Sequence, residues 1–261
     1  MMKYLRLFWE SLKLELSTDM AYKLNFFFKV ISLIIADIIG PLIAMLIYST
    51  TSGIPGWSFE EFILFQGTFI LVFGINHFLF ITFPFGIIND IRQGTFDKIL
   101  VKPYNPLLYL SSTSIDVEGL AEVFVGILLI IWAALRLDIS LSVNTLFYLV
   151  IILCALVFLY ALMVLIASLS FIFIKSFALL DLFFKMVDLA RYPLNIYNAE
   201  LRFFMTFIFP IAIVSSYPAQ ALLRGFSILR LVEVILPVIG FLIVTLFIWK
   251  YSLKKYTSSG G

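Results

Sequence analysis

Four charged residues fall on one stripe of an otherwise apolar stretch. They are Asp181, Lys185, Asp188 and Arg191, spaced 4, 3 and 3 apart and alternating in sign. Residues three and four apart are neighbours on a helix, so adjacent members can neutralise one another. A charge at mid-membrane opposes insertion by about 2.5–3.5 kcal/mol, so such a ladder belongs against protein or water rather than lipid. Two roles fit it: a polar wall beside a translocation path or subunit seam, or a salt-bridge stripe that touches no substrate. The sequence does not choose between them. Glu118 and Glu122 lie one turn apart on a shared face. They can partner the ladder across a bundle, or reach for water near the interface. Asp37 and His77 stand alone in apolar surroundings, where a satisfied core hydrogen bond suits each better than a transport or relay role.

Other chemistry is excluded by what is missing. One cysteine (Cys154) and one histidine leave no disulfide framework and no Cys/His metal cluster. No phosphate-binding G-x-x-x-x-G-K-[ST], H-E-x-x-H, G-x-S-x-G or G-x-G-x-x-G occurs. The chain is therefore expected to bind no ATP, metal or other cofactor itself and not to be an enzyme. An intramembrane lipid-modifying enzyme would lack a clustered nucleophile and base. The net charge of +2 is too weak to argue for nucleic acid.

The elements that position these residues follow from hydropathy. A chain 62% hydrophobic, with mean hydropathy +1.09, cannot be a soluble core with a solvated shell. The expected class is a single-domain, all-α polytopic membrane protein with the lipid bilayer as its surroundings. Residues 1–18 pattern as an interfacial helix, with Leu5, Phe8, Trp9, Leu12 and Leu16 on one side and Lys3, Arg6, Glu10, Lys13 and Ser17 opposite. Glu10, Glu15 and Asp19 argue against a cleavable signal peptide. Spans of about 20 residues are expected at 24–48, 62–88, 107–135, 144–174, 177–197 and 231–250. The uncharged run 139–174 would rise about 54 Å as one helix, so its first residues are expected in a loop and cap. Counting 203–222 as a seventh span would put the two basic ends on opposite sides. The positive-inside rule places both in the cytoplasm and requires an even number. Pro210 and Pro218 divide 203–222, so residues 200–225 are expected as a re-entrant hairpin at the outer face, built around Pro210, Tyr217 and Pro218.

Between the second and third spans lies a polar island, Gly86 to Pro106, which must sit outside the lipid. Gly94 ends what precedes it, Thr95 can cap a new helix over 95–102, and Asp97 suits its first turn. Phe96, Ile99 and Leu100 form an apolar patch at i, i+3 and i+4, while Lys98 and Lys102 stay wet and Pro103 forces a stop. Such a helix offers apolar surface to a partner.

Three passages together resemble the membrane-spanning permease subunits of bacterial type-2 ABC exporters, along essentially the whole chain. They are Gly94-Thr95-Phe96-Asp97 through Leu100 to Lys102-Pro103, then Phe209-Pro210 with Tyr217-Pro218-Ala219, and Trp249-Lys250 with Leu253 to Tyr256 and Ser259-Gly260. The likeness is greatest to a subfamily that pairs two related permeases with a separate ATPase. It implies that Gly94–Pro103 is a coupling helix, with Asp90 and Arg92 just before it, seated in a cytoplasmic ATP-binding-cassette subunit. That partner would carry ATP and Mg. A second permease, paralogue or copy, would complete the transporter in the bacterial cytoplasmic membrane. The resemblance assigns no substrate; the leading expectation is an exporter with both termini cytoplasmic that moves an amphipathic drug, lipid or glycan-like substrate outward. The alternative is a self-sufficient secondary transporter using the ladder as an ion relay.

Overall fold

Polar caps punctuate long apolar helices in this chain, whose computed structural model describes residues 2–173 and 177–257. In order the helices are α1 (Met2–Ala21), α2 (Lys23–Thr50), α3 (Phe59–Phe80), α4 (Thr82–Gln93), α5 (Asp97–Leu100), α6 (Pro106–Thr113), α7 (Gly119–Arg136), α8 (Val143–Ser170), α9 (Phe177–Leu189), α10 (Ala199–Phe203), α11 (Ser216–Arg224) and α12 (Ile228–Lys255). No strand occurs among the described residues. Ser58 with Glu61 forms a reciprocal capping box for α3, and Ser142 with Thr145 does the same for α8. Asn105 caps α6 ahead of Pro106, and Ser227 caps α12.

By length and composition, five helical segments among the described residues can cross a membrane: 23–50, 59–93, 119–136, 143–170 and 228–255. The protein is an all-α, multi-pass membrane protein. Two expected spans take another form. In place of one helix over 107–135 there are two, α6 and α7, separated at 114–118. Ser111, Ser112, Thr113 and Ser114 each turn the hydroxyl back onto a carbonyl of the preceding turn, a competition that favours helix ends. The Asp116 amide then bonds to the Phe78 carbonyl instead, at 3.0 Å. In 177–197, α9 stops after 13 residues, about 20 Å of rise. A turn and a short 3-10 piece, Leu194–Ile196, complete the passage.

The chain alternates between two ends of the bundle. At one, Phe96 meets Phe171 and Tyr256. At the other, Trp57 donates to Asn195 at 3.0 Å, and Arg224 donates to the Gly56 carbonyl. These are the Phe96 end and the Trp57 end. Helices α3 and α7 run antiparallel in backbone contact. A Cβ on Gly126 would stand 2.5 Å from the Leu71 amide nitrogen, and one on Gly74 would stand 2.7 Å from that of Val123. Only glycine allows such an approach, the usual device for packing helices in lipid.

Helix α1 lies outside the bundle core with no buried residue. Tyr4, Leu7, Phe8, Ser11 and Leu12 form its half-buried stripe, and the Tyr4 hydroxyl accepts from the Asn105 amide at 3.1 Å. Met2, Leu5, Trp9, Leu16 and Met20 make a second, exposed apolar stripe beside it. One helix thus has a protein side, an apolar outer side and a charged side.

Candidate functional site

Three regions of the bundle carry the residues of interest. The first is the turn at the Phe96 end. Helix α4 stops at Gly94, whose φ of +67° is the left-handed cap that glycine supplies freely. The Thr95 hydroxyl does not cap forward; it donates back to the Asp90 carboxylate at 2.7 Å. The next element, α5, is a single turn, shorter than the expected 95–102. Its apolar patch is divided. Phe96 is completely buried, its ring 4.9 Å from that of Phe171 and 5.2 Å from that of Tyr256, and Ile99 is buried beside it. Leu100 and, at 83% exposure, Val101 face out with Lys98. The anchor and the outward surface are therefore different residues. Lys102 is half-buried and bonds to the Tyr109 hydroxyl, so it is tied to α6 rather than free. Arg92 lies over the Phe177 ring at 5.3 Å, and Pro103 is exposed after the turn. Asp97, half-buried, opens α5.

The second region is a line of polar side chains along α2, α3 and α7. Lys29 on α2 pairs with Glu118 at 2.6 Å. His77 on α3 faces Asp116 through Nε2 at 3.4 Å and Glu122 through Nδ1 at 3.0 Å. An imidazole can donate to two carboxylates at once only as the imidazolium. Glu122 is buried, and its second oxygen, one Asp37 oxygen and both polar atoms of the Asn76 amide have no hydrogen-bond partner among the described residues. Nearer the Trp57 end, Gln66 donates to the Arg191 carbonyl at 2.9 Å. The break between α6 and α7 is what delivers Asp116 and Glu118 to this line. Glu118 and Glu122 thus find partners on α2 and α3, not in the ladder. Within the ladder, Arg191 pairs with Asp188 at 2.9 Å, while Asp181 and Lys185 are exposed and form no ion pair among the described residues. No local pattern announces the trio at His77, since its members lie 39 and 45 positions apart in chain order. The glycines at 74 and 126 were the available clue that α3 and α7 meet backbone to backbone.

The third region is 200–225. From α10 at the Trp57 end, a π-helical turn Phe204–Ile208 leads inward to Phe209, which packs on Phe158 of α8 and Phe241 of α12. A 3-10 piece, Ile211–Val214, and α11 return the chain to the same end. Pro210 and Pro218 are buried in this hairpin. Tyr217 ties its limbs together through the Thr206 hydroxyl at 2.9 Å, and Ser215 donates to the Ala190 carbonyl at 2.5 Å. The inner turn of this hairpin is thus packed against α8 and α12.

Among the described residues no group of three or more His, Cys, Asp or Glu side chains could hold a metal ion. Residues Ser259 and Gly260 lie outside the described residues. Compared with known proteins, residues 27–260 match the model of a family described as ABC-2 family transporter protein. Neither a curated protein nor a solved structure matches.

Proposed function

This chain belongs to the ABC-2 family of transporter proteins, and on that premise we propose that it is the permease half of an exporter driven by a separate ATP-binding-cassette subunit. The reading is carried by the divided turn at the Phe96 end. Phe96 and Ile99 fix 96–100 to the ends of α8 and α12, and Leu100, Val101 and Lys98 are left as the surface a cytoplasmic ATPase would grip. ATP and Mg would be held on that partner. The Phe96 end would face the cytoplasm, where Lys3, Arg6, Lys13, Lys250, Lys254 and Lys255 gather. α1 would then lie at the cytoplasmic surface of the bacterial inner membrane with its outer stripe in the headgroups.

A second permease is the natural cover for α9. Leu180, Phe183 and Val187 bury one face of this helix, while Asp181, Lys185 and Asp188 stand on the other. Lipid is a poor neighbour for those charges, and a protein surface with complementary ones is a good neighbour. ATP binding would then rock two permease halves about this seam and move an amphipathic substrate outward.

The test is a site-directed cross-link in native membranes, with Cys154→Ser and Val101→Cys providing one exposed thiol. The expected product is a covalent adduct with a soluble ATP-binding-cassette subunit that changes when ATP is added. The absence of any adduct, with transport by this chain alone intact, would overturn the proposal.

A further inference from the structure

Three of the chain's arginines line one cleft at the Trp57 end, in a protein whose other cations mostly gather at the opposite end. The cleft has a volume of about 550 Å³ and is open to one side, within the range of small-ligand sites. Arg202 comes from α10, Arg224 from the end of α11 and Arg230 from the start of α12, with Glu233 as the only carboxylate in the lining among the described residues. None of the three arginines forms an ion pair among the described residues. Two are held in place without being neutralised. Arg224 donates to the Gly56 carbonyl and lies over Trp57 at 4.9 Å, and Arg230 lies over Phe226 at 5.6 Å. Three guanidinium groups against one carboxylate leave a surplus of two positive charges. The hairpin also brings Phe203 and Phe207 to the rim, 57% and 49% exposed.

We infer that this cleft binds an amphiphile with a phosphomonoester head. A phosphomonoester carries about −1.5 to −2 charges at neutral pH and offers three acceptor oxygens. That matches the surplus charge and the number of guanidinium forks, which bind phosphate in a planar, bidentate manner. A phosphodiester, as in ordinary bilayer lipids, would leave one positive charge uncompensated. The exposed phenylalanines at the rim suit an alkyl chain lying toward the membrane, which free phosphate lacks. This inference rests on the permease reading only in naming the cleft as a place where substrate leaves the bilayer.

The experiment uses the full chain in phosphatidylcholine nanodiscs and measures radiolabelled dodecyl phosphate bound in excess of empty nanodiscs. Inorganic phosphate and dodecyl maltoside serve as competitors. The expected result is saturable binding that neither competitor displaces at equal concentration, weakened about tenfold or more in Arg202→Gln/Arg230→Gln. Arg202 has an exposed side chain, so Arg202→Gln alone serves if the double variant fails to fold, with an expected loss of several-fold. Arg202→Lys should restore part of the affinity. Equal binding by wild type and variant overturns the site. Displacement by inorganic phosphate at equal concentration makes it a free-anion site, and displacement by dodecyl maltoside makes it an apolar groove; either overturns the ligand class. No ATP or partner enters this assay, so its failure leaves the Val101 cross-link result standing.

Discussion

Phe96 and Val101 lie five positions apart and should fail in opposite ways. Replacing Phe96 by alanine removes a completely buried ring that touches two others at 4.9 and 5.2 Å. Buried Phe→Ala changes destabilise by about 3–5 kcal/mol, including the void left behind. The two edge-on ring contacts, worth about 0.5–1.5 kcal/mol each, fall within that range. If the loss is local to the turn, the detached form rises by about two to three and a half decades, at 1.4 kcal/mol per decade. Amide hydrogen exchange over residues 94–105, measured in nanodiscs, should then be faster by about a hundredfold or more. Val101, at 83% exposure, sits outside this packing. Val101→Asp should shift stability by no more than about 0.5 kcal/mol and leave the exchange unchanged. In the assembled complex, substrate-stimulated ATP hydrolysis should fall in both variants. Phe96→Ala would lose it because the turn is loose, and Val101→Asp because a rigid turn presents a charge to an apolar seat. Unchanged exchange in Phe96→Ala would refute the anchor. Unchanged hydrolysis in Val101→Asp would refute the assignment of the outward surface.

The polar residues support two further expected outcomes. His77→Leu leaves Asp116 and Glu122 facing an apolar side chain, and breaking a buried pair in this way destabilises by about 3–5 kcal/mol. The thermal unfolding midpoint should drop, and His77→Leu/Glu122→Leu should recover part of the drop; a double variant no better than the single would sink the pairing. On α1, burial and then the charges of Asp19, Asp116 and Glu118 hold the Glu15 carboxyl above its ordinary 4.5, against the pull of Lys29. A raised folded value means that the folded state keeps its proton to higher pH. This contribution is therefore fully present below about pH 4.5 and is lost as pH rises through the folded value. Wild type should gain stability on mild acidification relative to Glu15→Gln, in unfolding scans from pH 7 toward pH 5; identical pH slopes would refute the assignment.

Hydropathy made the all-α membrane class legible, because lipid demands continuous apolar helix and leaves little freedom. The pauses were also readable where a residue acts on its own backbone, as Gly94 and Pro106 do. What the sequence could not deliver was which neighbour each side chain meets. Phe96, Ile99 and Leu100 share one face by spacing, yet a single turn packed against two aromatic rings buries the first two and leaves the third. Thr95 suits a forward cap by its type, yet the left-handed turn at Gly94 folds it back onto Asp90, five positions earlier. By spacing alone Glu118 and Glu122 were open to the ladder. The bend at 114–118, driven by four consecutive hydroxyl residues, sends them to Lys29 and His77 instead. The arginines at 202, 224 and 230 belong to three separate helices, so no local pattern announces their convergence.

The link between the two ends lies in two helices. Helix α8 supplies Phe158 to the hairpin tip, and Phe171, just beyond its last turn, touches Phe96. Helix α12 supplies Phe241 to the same tip, and near its other end Trp249 packs against Phe171 while Tyr256 packs against Phe96. The rings at either end are thus held by one helix pair. Packed interiors resist gradual deformation, so a push on the turn should move α8 and α12 as a unit rather than dissipate in side chains. Such a movement would reach Phe209, where the hairpin narrows to a π-helical turn and a proline. A rigid pair ending in an irregular hinge is suited to turn a displacement at the Phe96 end into a rearrangement of the cleft at the Trp57 end.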